Sequence, residues 1–282
     1  MKKFIFSVLT SLFFTTTVLA ETTIVNPKDR VLQGSYLTIE IKEDSAQDKE
    51  FFASFNNKTV KMYKNNKGKY ICFIGIPADL KTGGYKLRIK ENDKLFYENQ
   101  IEVEPKYTGK QYISYYKPKL SKEEENKIQE EEKLVENAKN TRSEKQYWEK
   151  PFMLPVNDYV SAIYGIKRYL NGKYNNYHTG VDFASDMGQK VKAINSGKII
   201  LAKYFSKYNS NGNIVYIDHG LGIGSAYLHL SKILVKEGDI VEKGQVIGLV
   251  GSTGRSTGPH LHWGVYLNGQ NTDGLNLVKS IK

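Results

Sequence analysis

His260-Leu261-His262-Trp263-Gly264-Val265-Tyr266-Leu267 alternates at a period of two, the mark of a β-strand. Leu261, Trp263, Val265 and Leu267 share one face, suited to a core, and this leaves His260 and His262 together on the other. A second such pair lies upstream. His178-Thr179-Gly180-Val181-Asp182 sets an imidazole and a carboxylate four residues apart. Thr179, Gly180 and Val181 are poor helix formers, so this stretch too reads as a strand, in which positions four apart share a face. Between the pairs stand His219, in Asp218-His219-Gly220, and His229, in Tyr227-Leu228-His229-Leu230.

All five histidines therefore lie between residues 178 and 262 of a 282-residue chain, a clustering that random scatter rarely gives. Imidazole nitrogens with one carboxylate oxygen suit zinc, and three protein ligands leave a fourth position open to water, the mark of a catalytic rather than a structural metal. Each pair alone is weak evidence. An H-x-x-x-D spacing arises by chance, and an H-x-H strand can simply be a polar sheet face. Around the histidines, glycines from Gly220 to Gly264 punctuate short β-branched runs, as in antiparallel sheet with tight turns.

Further upstream, Leu37-Thr38-Ile39-Glu40-Ile41-Lys42 and Tyr85-Lys86-Leu87-Arg88-Ile89-Lys90 also alternate. Asn-Asn, Asn-Lys-Gly, Gly-Gly and Asn-Asp turns separate the strands, and about six strands in some 75 residues predict a small β-sandwich of immunoglobulin-like kind. That module holds no histidine and reads as structural or binding. Cys72, the one cysteine, lies in the apolar run Tyr70-Ile71-Cys72-Phe73-Ile74, as a buried strand thiol would, and no intramolecular disulfide can form. From Pro105 the composition turns polar. Ser121 with Glu124 makes a capping box for a helix over about 122–138, whose thin apolar stripe is Ile128, Leu134, Val135 and Ala138. Seven Glu against three Lys between Ser121 and Asn137 suggest a solvated connector.

The chain begins with Lys2 and Lys3, an apolar stretch from Phe4 to Leu19, and Val18-Leu19-Ala20 before Glu21: a secretory signal cleaved after Ala20. That places the mature protein in the periplasm, the cell wall or outside the cell. The hydroxyls within the stretch and its shortness argue against a spanning anchor. The formal net charge is +11, or +9 once Lys2 and Lys3 are removed, and arginine occurs only at Arg30, Arg88, Arg142, Arg168 and Arg255. Lysine charge of this kind suits an anionic surface more than bidentate base reading; a basic enzyme working on an anionic polymer fits it as well as nucleic acid does, and no nucleic-acid partner is expected.

Taken together, residues 151–270 resemble the lysostaphin/LytM-type zinc peptidases, which cut the peptide part of bacterial cell walls. The matching segments are His178 to Ala184, Tyr227 to Leu230, Gly238-Asp239-Ile240-Val241, and Gly251-Ser252-Thr253-Gly254-Arg255-Ser256-Thr257-Gly258-Pro259-His260-Leu261-His262, in the family's order. The resemblance implies that His178, Asp182 and His262 bind Zn2+, and that His229 and His260 are non-ligand catalytic histidines. His219 is then structural. The glycine run at 251–258 becomes the turn that delivers His260 and His262; as a phosphate loop it fails, with Leu249 at the first glycine position and Arg255 in place of the lysine. Arg255 itself reads equally as a contact for substrate carboxylates or as a solvated surface charge. Some family members carry a catalytic tyrosine before the first ligand. Here Tyr169, Tyr174 and Tyr177 lie in an Asn-rich loop read as a groove wall, and the sequence singles out none of them.

The expected organisation is thus mainly β: a signal peptide (1–20), a β-sandwich module (21–104), a linker with its helix (105–150), and an antiparallel β-sheet peptidase domain with a metal-holding groove (151–282). The expected function is an exported zinc endopeptidase acting on peptidoglycan cross-links, with D-alanyl bonds favoured over glycine bridges. The N-terminal module is open to a regulatory protein, and the oligomeric state is not legible. Two alternatives stand beside this reading. One is a non-catalytic protein that binds the wall and activates another hydrolase. The other is a latent enzyme whose N-terminal region covers the groove.

Overall fold

The computed structural model describes residues 23–25, 29–42, 49–106, 109–114 and 118–280. The signal-peptide stretch lies outside these. None of the described helices is long and apolar enough to cross a membrane.

Up to Glu104 the described residues form nine strands in two sheets. One sheet runs Thr23–Val25, Tyr36–Lys42, Tyr70–Gly75, Tyr63–Lys64; the other runs Arg30–Leu32, Lys94–Glu104, Gly83–Glu91, Phe51–Phe55, Lys58–Lys61. Leu37, Ile39 and Ile41 project at period two into a core shared with Phe51, Leu87, Ile89, Ile101 and Val103. Cys72 is buried there, and desolvation pushes its thiol pKa up, away from reactivity.

The strand Tyr70–Gly75 is buried along its whole length. Alternation explains why. Tyr70, Cys72 and Ile74 face the sandwich core, whereas Ile71 and Phe73 face a second core that holds Trp148, Phe183 and Trp263. A strand buried on both faces reads as a continuous apolar run. The sandwich is therefore seated on the C-terminal part by apolar packing. Polar contacts add to the seam: the Asn268 side-chain amide donates to the Phe73 carbonyl at 2.7 Å, and Lys106 pairs with Asp273 at 2.7 Å.

The C-terminal part is built on one antiparallel sheet in the order Tyr159–Ala162, Val181–Ala184, Leu261–Leu267, Ile223–Leu228, Ile214–Gly220, Gly197–Lys203, Ile240–Val241, with Gln270–Thr272 also pairing to Leu261–Leu267. The predicted alternation holds: Leu261, Trp263, Val265 and Leu267 all enter the larger core. Tyr266, on the opposite face, is also buried, because the helix covers that side.

That helix, Lys122–Asn140, starts at the predicted capping box, with the Glu124 backbone N–H donating to Ser121 Oγ and the Ser121 N–H donating to Glu124 Oε2. It is more than a solvated connector. Val135 and Ala138 pack on Leu201, Tyr216, Ala226 and Tyr266, while Leu134 points to solvent. The third buried position is Glu131, and its carboxylate accepts from the Ser206 N–H (2.8 Å), Ser206 Oγ (2.8 Å) and Asn209 Nδ2 (3.0 Å). Truncating Glu131 to Ala strands three donors, one on buried Asn209 and two on half-buried Ser206, so the protein should lose about 2–3 kcal/mol of unfolding free energy in urea titration. An unchanged midpoint would show that water replaces the carboxylate freely.

Two further differences concern the approach to the histidines. The segment Tyr169 to His178 is mostly a hairpin, Lys167–Leu170 with Lys173–Tyr177, rather than a loop. A strand from the linker, Lys110–Ile113, pairs parallel with Lys167–Leu170 and extends it to three strands.

Candidate metal centre

Asp182 and His262 are direct register partners across antiparallel neighbours, which places their side chains on one face. His178 is not in a strand, contrary to the sequence expectation. It precedes Val181–Ala184 and is fixed by its backbone N–H to the Ile166 carbonyl at 2.7 Å. It still converges. His178 Nε2 lies 3.0 Å from Asp182 Oδ1 and 3.0 Å from His262 Nδ1, and His262 Nδ1 lies 2.7 Å from Asp182 Oδ1. Gly180 makes this approach possible, since a Cβ there would sit 2.5 Å from the Trp263 carbonyl oxygen and 2.6 Å from His262 Nε2.

Burial holds the His178 pKa down at about 4, so the ring is neutral and carries one proton. The Ile163 carbonyl, 2.9 Å from Nδ1, assigns that proton to Nδ1. Nε2 is then a lone pair facing an ionised carboxylate and a second imidazole nitrogen. A cation placed among these three atoms would satisfy all of them at once. Two imidazole nitrogens and one carboxylate oxygen suit zinc, with His178, Asp182 and His262 as the residues that would hold it and a further position left for water.

The other two site histidines stand beside this group. The strand Ile223–Leu228 ends one residue before His229, which adopts a left-handed φ of 62°, unusual for a bulky residue and typical of functional sites. That turn lays its ring 4.6 Å from His260 and 6.1 Å from His262, centroid to centroid. His229 Nδ1–H donates to the Thr253 carbonyl (2.8 Å), and His260 Nδ1–H donates to the Gly258 carbonyl (2.9 Å). The glycine run at 251–258 thus orients both rings through its backbone and leaves each Nε2 free. Gly254, at φ 69°, is required in it, because a Cβ would lie 2.3 Å from the Gly212 nitrogen. Burial first, and then the neighbouring His262 and His260, push the His229 pKa down to about 3. It is a neutral imidazole at neutral pH, able to accept a proton at Nε2 but not pre-charged.

His219 is apart from the cluster in its bonding. It is fully buried, with Nδ1–H to the Ser196 carbonyl and Nε2 paired with Ser225 Oγ, both at 2.8 Å, and desolvation lowers its pKa to about 4. It serves the sheet. Tyr177 packs edge-on against Tyr164, and Tyr169 stacks on Tyr112 at 5.0 Å and meets Tyr174 at 5.7 Å. Arg255 is exposed on the turn.

Sequence reasoning missed Arg168. Its Nη2 donates to Asp182 Oδ2 at 3.0 Å. The available signal was the rarity of arginine in this chain; no spacing rule connects residue 168 to residue 182.

Residues 176–274 match Peptidase family M23. The chain is 43% identical over 98 residues to the peptidoglycan DD-endopeptidase ShyB of Vibrio cholerae, covering 35% of this chain and 22% of that protein. It is 45% identical over 108 residues to lysostaphin of Staphylococcus simulans, covering 38% of this chain and 22% of that protein. The chain thus spans about a fifth of the length of the curated relatives it matches. A Pseudomonas aeruginosa crystal structure assigned to peptidase M23 matches with a TM-score of 0.67 at 28% identity, covering 89% of this chain and 96% of that one, so the likeness extends through the sandwich as well. Residues 176–274, which hold His178, Asp182, His229, His260 and His262, are thus a peptidase family M23 domain of the lysostaphin/LytM type.

Proposed function

We propose that the protein is an exported zinc metalloendopeptidase that hydrolyses the peptide cross-links of peptidoglycan. One observation carries this reading: two imidazoles with fixed tautomers and free Nε2 atoms, His229 and His260, stand beside a three-residue set suited to a metal. When bound, zinc would act as a Lewis acid toward the scissile carbonyl and lower the pKa of a coordinated water to about 7. The residues supply the rest. His178, Asp182 and His262 hold the ion. One of His229 and His260 accepts the proton of the attacking water at Nε2, and the other stabilises the developing oxyanion or returns the proton to the leaving amine.

The substrate follows from chemistry and kinship together. The lysine-rich charge favours an anionic wall polymer. The relatives with printed activities act on peptidoglycan or include DD-endopeptidases, in Vibrio cholerae and Neisseria meningitidis. Within that substrate we assign D-alanyl cross-links over glycine bridges, because the sandwich and helix accompany the metal centre as in wall endopeptidases of two-membrane bacteria. Export rests on the Lys2-to-Ala20 pattern. The same reading takes residues 21–104 as a sandwich module, 105–150 as a linker, and 151–282 as the catalytic unit, with the sandwich module open to a regulatory protein.

Purified cross-linked muropeptides and pentaglycine-bridged peptides, digested side by side and read by mass spectrometry, test the assignment. New D-alanyl carboxyl termini, with the glycine peptides intact, are expected. Cleavage confined to the glycine peptides would overturn the bond preference. Loss of neither substrate with zinc bound would favour an activator of another hydrolase.

A further inference from the structure

Asp182 uses its two carboxylate oxygens differently. Oδ1 faces His178 and His262, while Oδ2 accepts from Arg168 Nη2 at 3.0 Å. Arg168 also donates from Nε to Gln111 Oε1 at 3.0 Å. Gln111 lies on Lys110–Ile113, where it is the direct register partner of Arg168. Both residues precede the stretch that matches the peptidase family.

The linker strand is firmly set. Besides the ladder, the Lys167 N–H donates to the Gly109 carbonyl at 3.2 Å, the Asn171 N–H donates to the Ile113 carbonyl at 3.0 Å, and Tyr112 stacks on Tyr169 across the pair. Arg168 and Tyr169 are adjacent in the strand, so the aromatic stack is on one face and the guanidinium on the other. Gln111 is on the guanidinium face.

A guanidinium is a rigid planar fork. With Nε tied to Gln111 and Nη2 to Asp182 Oδ2, neither the arginine nor the carboxylate is free to rotate. Asp182 then offers Oδ1 alone to a metal. We propose that Gln111 and Arg168 are positioning residues of the metal centre, so that a linker strand outside the family domain sets how tightly the protein retains its metal. The proposal rests on His178, Asp182 and His262 being the zinc ligands.

The test is zinc retention in the full chain, measured by competition with a chromophoric chelator, with thermal melting of the zinc-free protein as the folding control. Arg168→Lys keeps the charge and so does not alter long-range repulsion of the cation, but a flexible ammonium lacks the rigid fork that fixes Asp182 against Gln111. It should weaken zinc binding roughly 10–100-fold, the usual range for partners that orient a ligand. Gln111→Leu removes only the acceptor and should weaken binding in the same direction by a smaller factor. Gln111→Glu restores an acceptor and should return affinity to near the wild-type value, which a merely structural role for the strand would not predict. Wild-type zinc affinity in folded Arg168→Lys and Gln111→Leu proteins, while His178→Ala releases the ion, would overturn this proposal alone. Equal zinc binding by wild type and His178→Ala would overturn the ligand assignment together with it.

Discussion

His178→Ala and Asp182→Ala should each lose zinc and activity together, with turnover falling on the order of a thousandfold or more. The reason is the small ligand set. Three side chains converge, and removing one leaves two donors, too few to hold the ion against a chelator. Asp182 is the severer loss of charge, because it is the one anionic donor in that set. His178 is the severer loss of packing, since its ring is wholly buried between Ile163 and the other ligands. Neither change should unfold the chain. Zinc-finger domains collapse without metal because they have little else, whereas this protein has apolar cores in the sandwich, in the C-terminal sheet and beneath the helix. Metal content by atomic absorption, circular dichroism and turnover on the same samples check the three parts. A variant that bound zinc stoichiometrically would show that the ion sits elsewhere.

His260→Ala should behave in the opposite way, keeping zinc and losing activity by about 10²–10⁴-fold, the usual share of a positioned acid–base group. Its Nδ1–H is tied to the Gly258 carbonyl, so Nε2 is left for chemistry, and it is not one of the three residues whose ligand atoms converge. His229→Ala should show the same separation of binding from turnover. Its ring lies over both His260 and His262, and its backbone is held at positive φ by the chain on either side. Zinc content measured beside turnover decides the matter. Normal turnover in His260→Ala would contradict the division between ligands and catalytic histidines.

The sequence made the strand that carries His262 legible because alternation over His260 to Leu267 obeys a local rule, and the pairing with Asp182 follows once the strands are neighbours. The capping box was legible for the same reason: Ser121 and Glu124 bond to each other's backbone. What the sequence hid depends on distant partners. Glu131 looked like one of many solvated acids, and it is buried only because Ser206 and Asn209 come to it. Val135 and Ala138 marked an apolar stripe, but nothing local showed that the sheet beneath would cover them or that Leu134 would face outward. Propensity places His178 in a strand, and tertiary contacts with the Ile163 and Ile166 carbonyls hold it in irregular backbone instead. The hairpin from Lys167 to Tyr177 was concealed by its asparagines, which read as loop formers, while its third strand is contributed from residues 110–113.

That structure bears on any attempt to isolate the catalytic part. The helix, Trp148 and the Lys110–Ile113 strand all precede residue 151, yet they cover the back of the sheet, fill its core and edge its hairpin. The full chain is accordingly the sample on which the account should be judged.

The most direct measurement titrates zinc into the metal-free full chain and follows bound zinc and hydrolysis of a cross-linked muropeptide in the same cuvette series. Hydrolysis should rise with the first equivalent of zinc, saturate at one per chain, and stay absent in His260→Ala although that variant binds the same equivalent. Hydrolysis that persists in chelated protein, or one equivalent of zinc bound by the wild type with no bond cleaved, would contradict the proposed function.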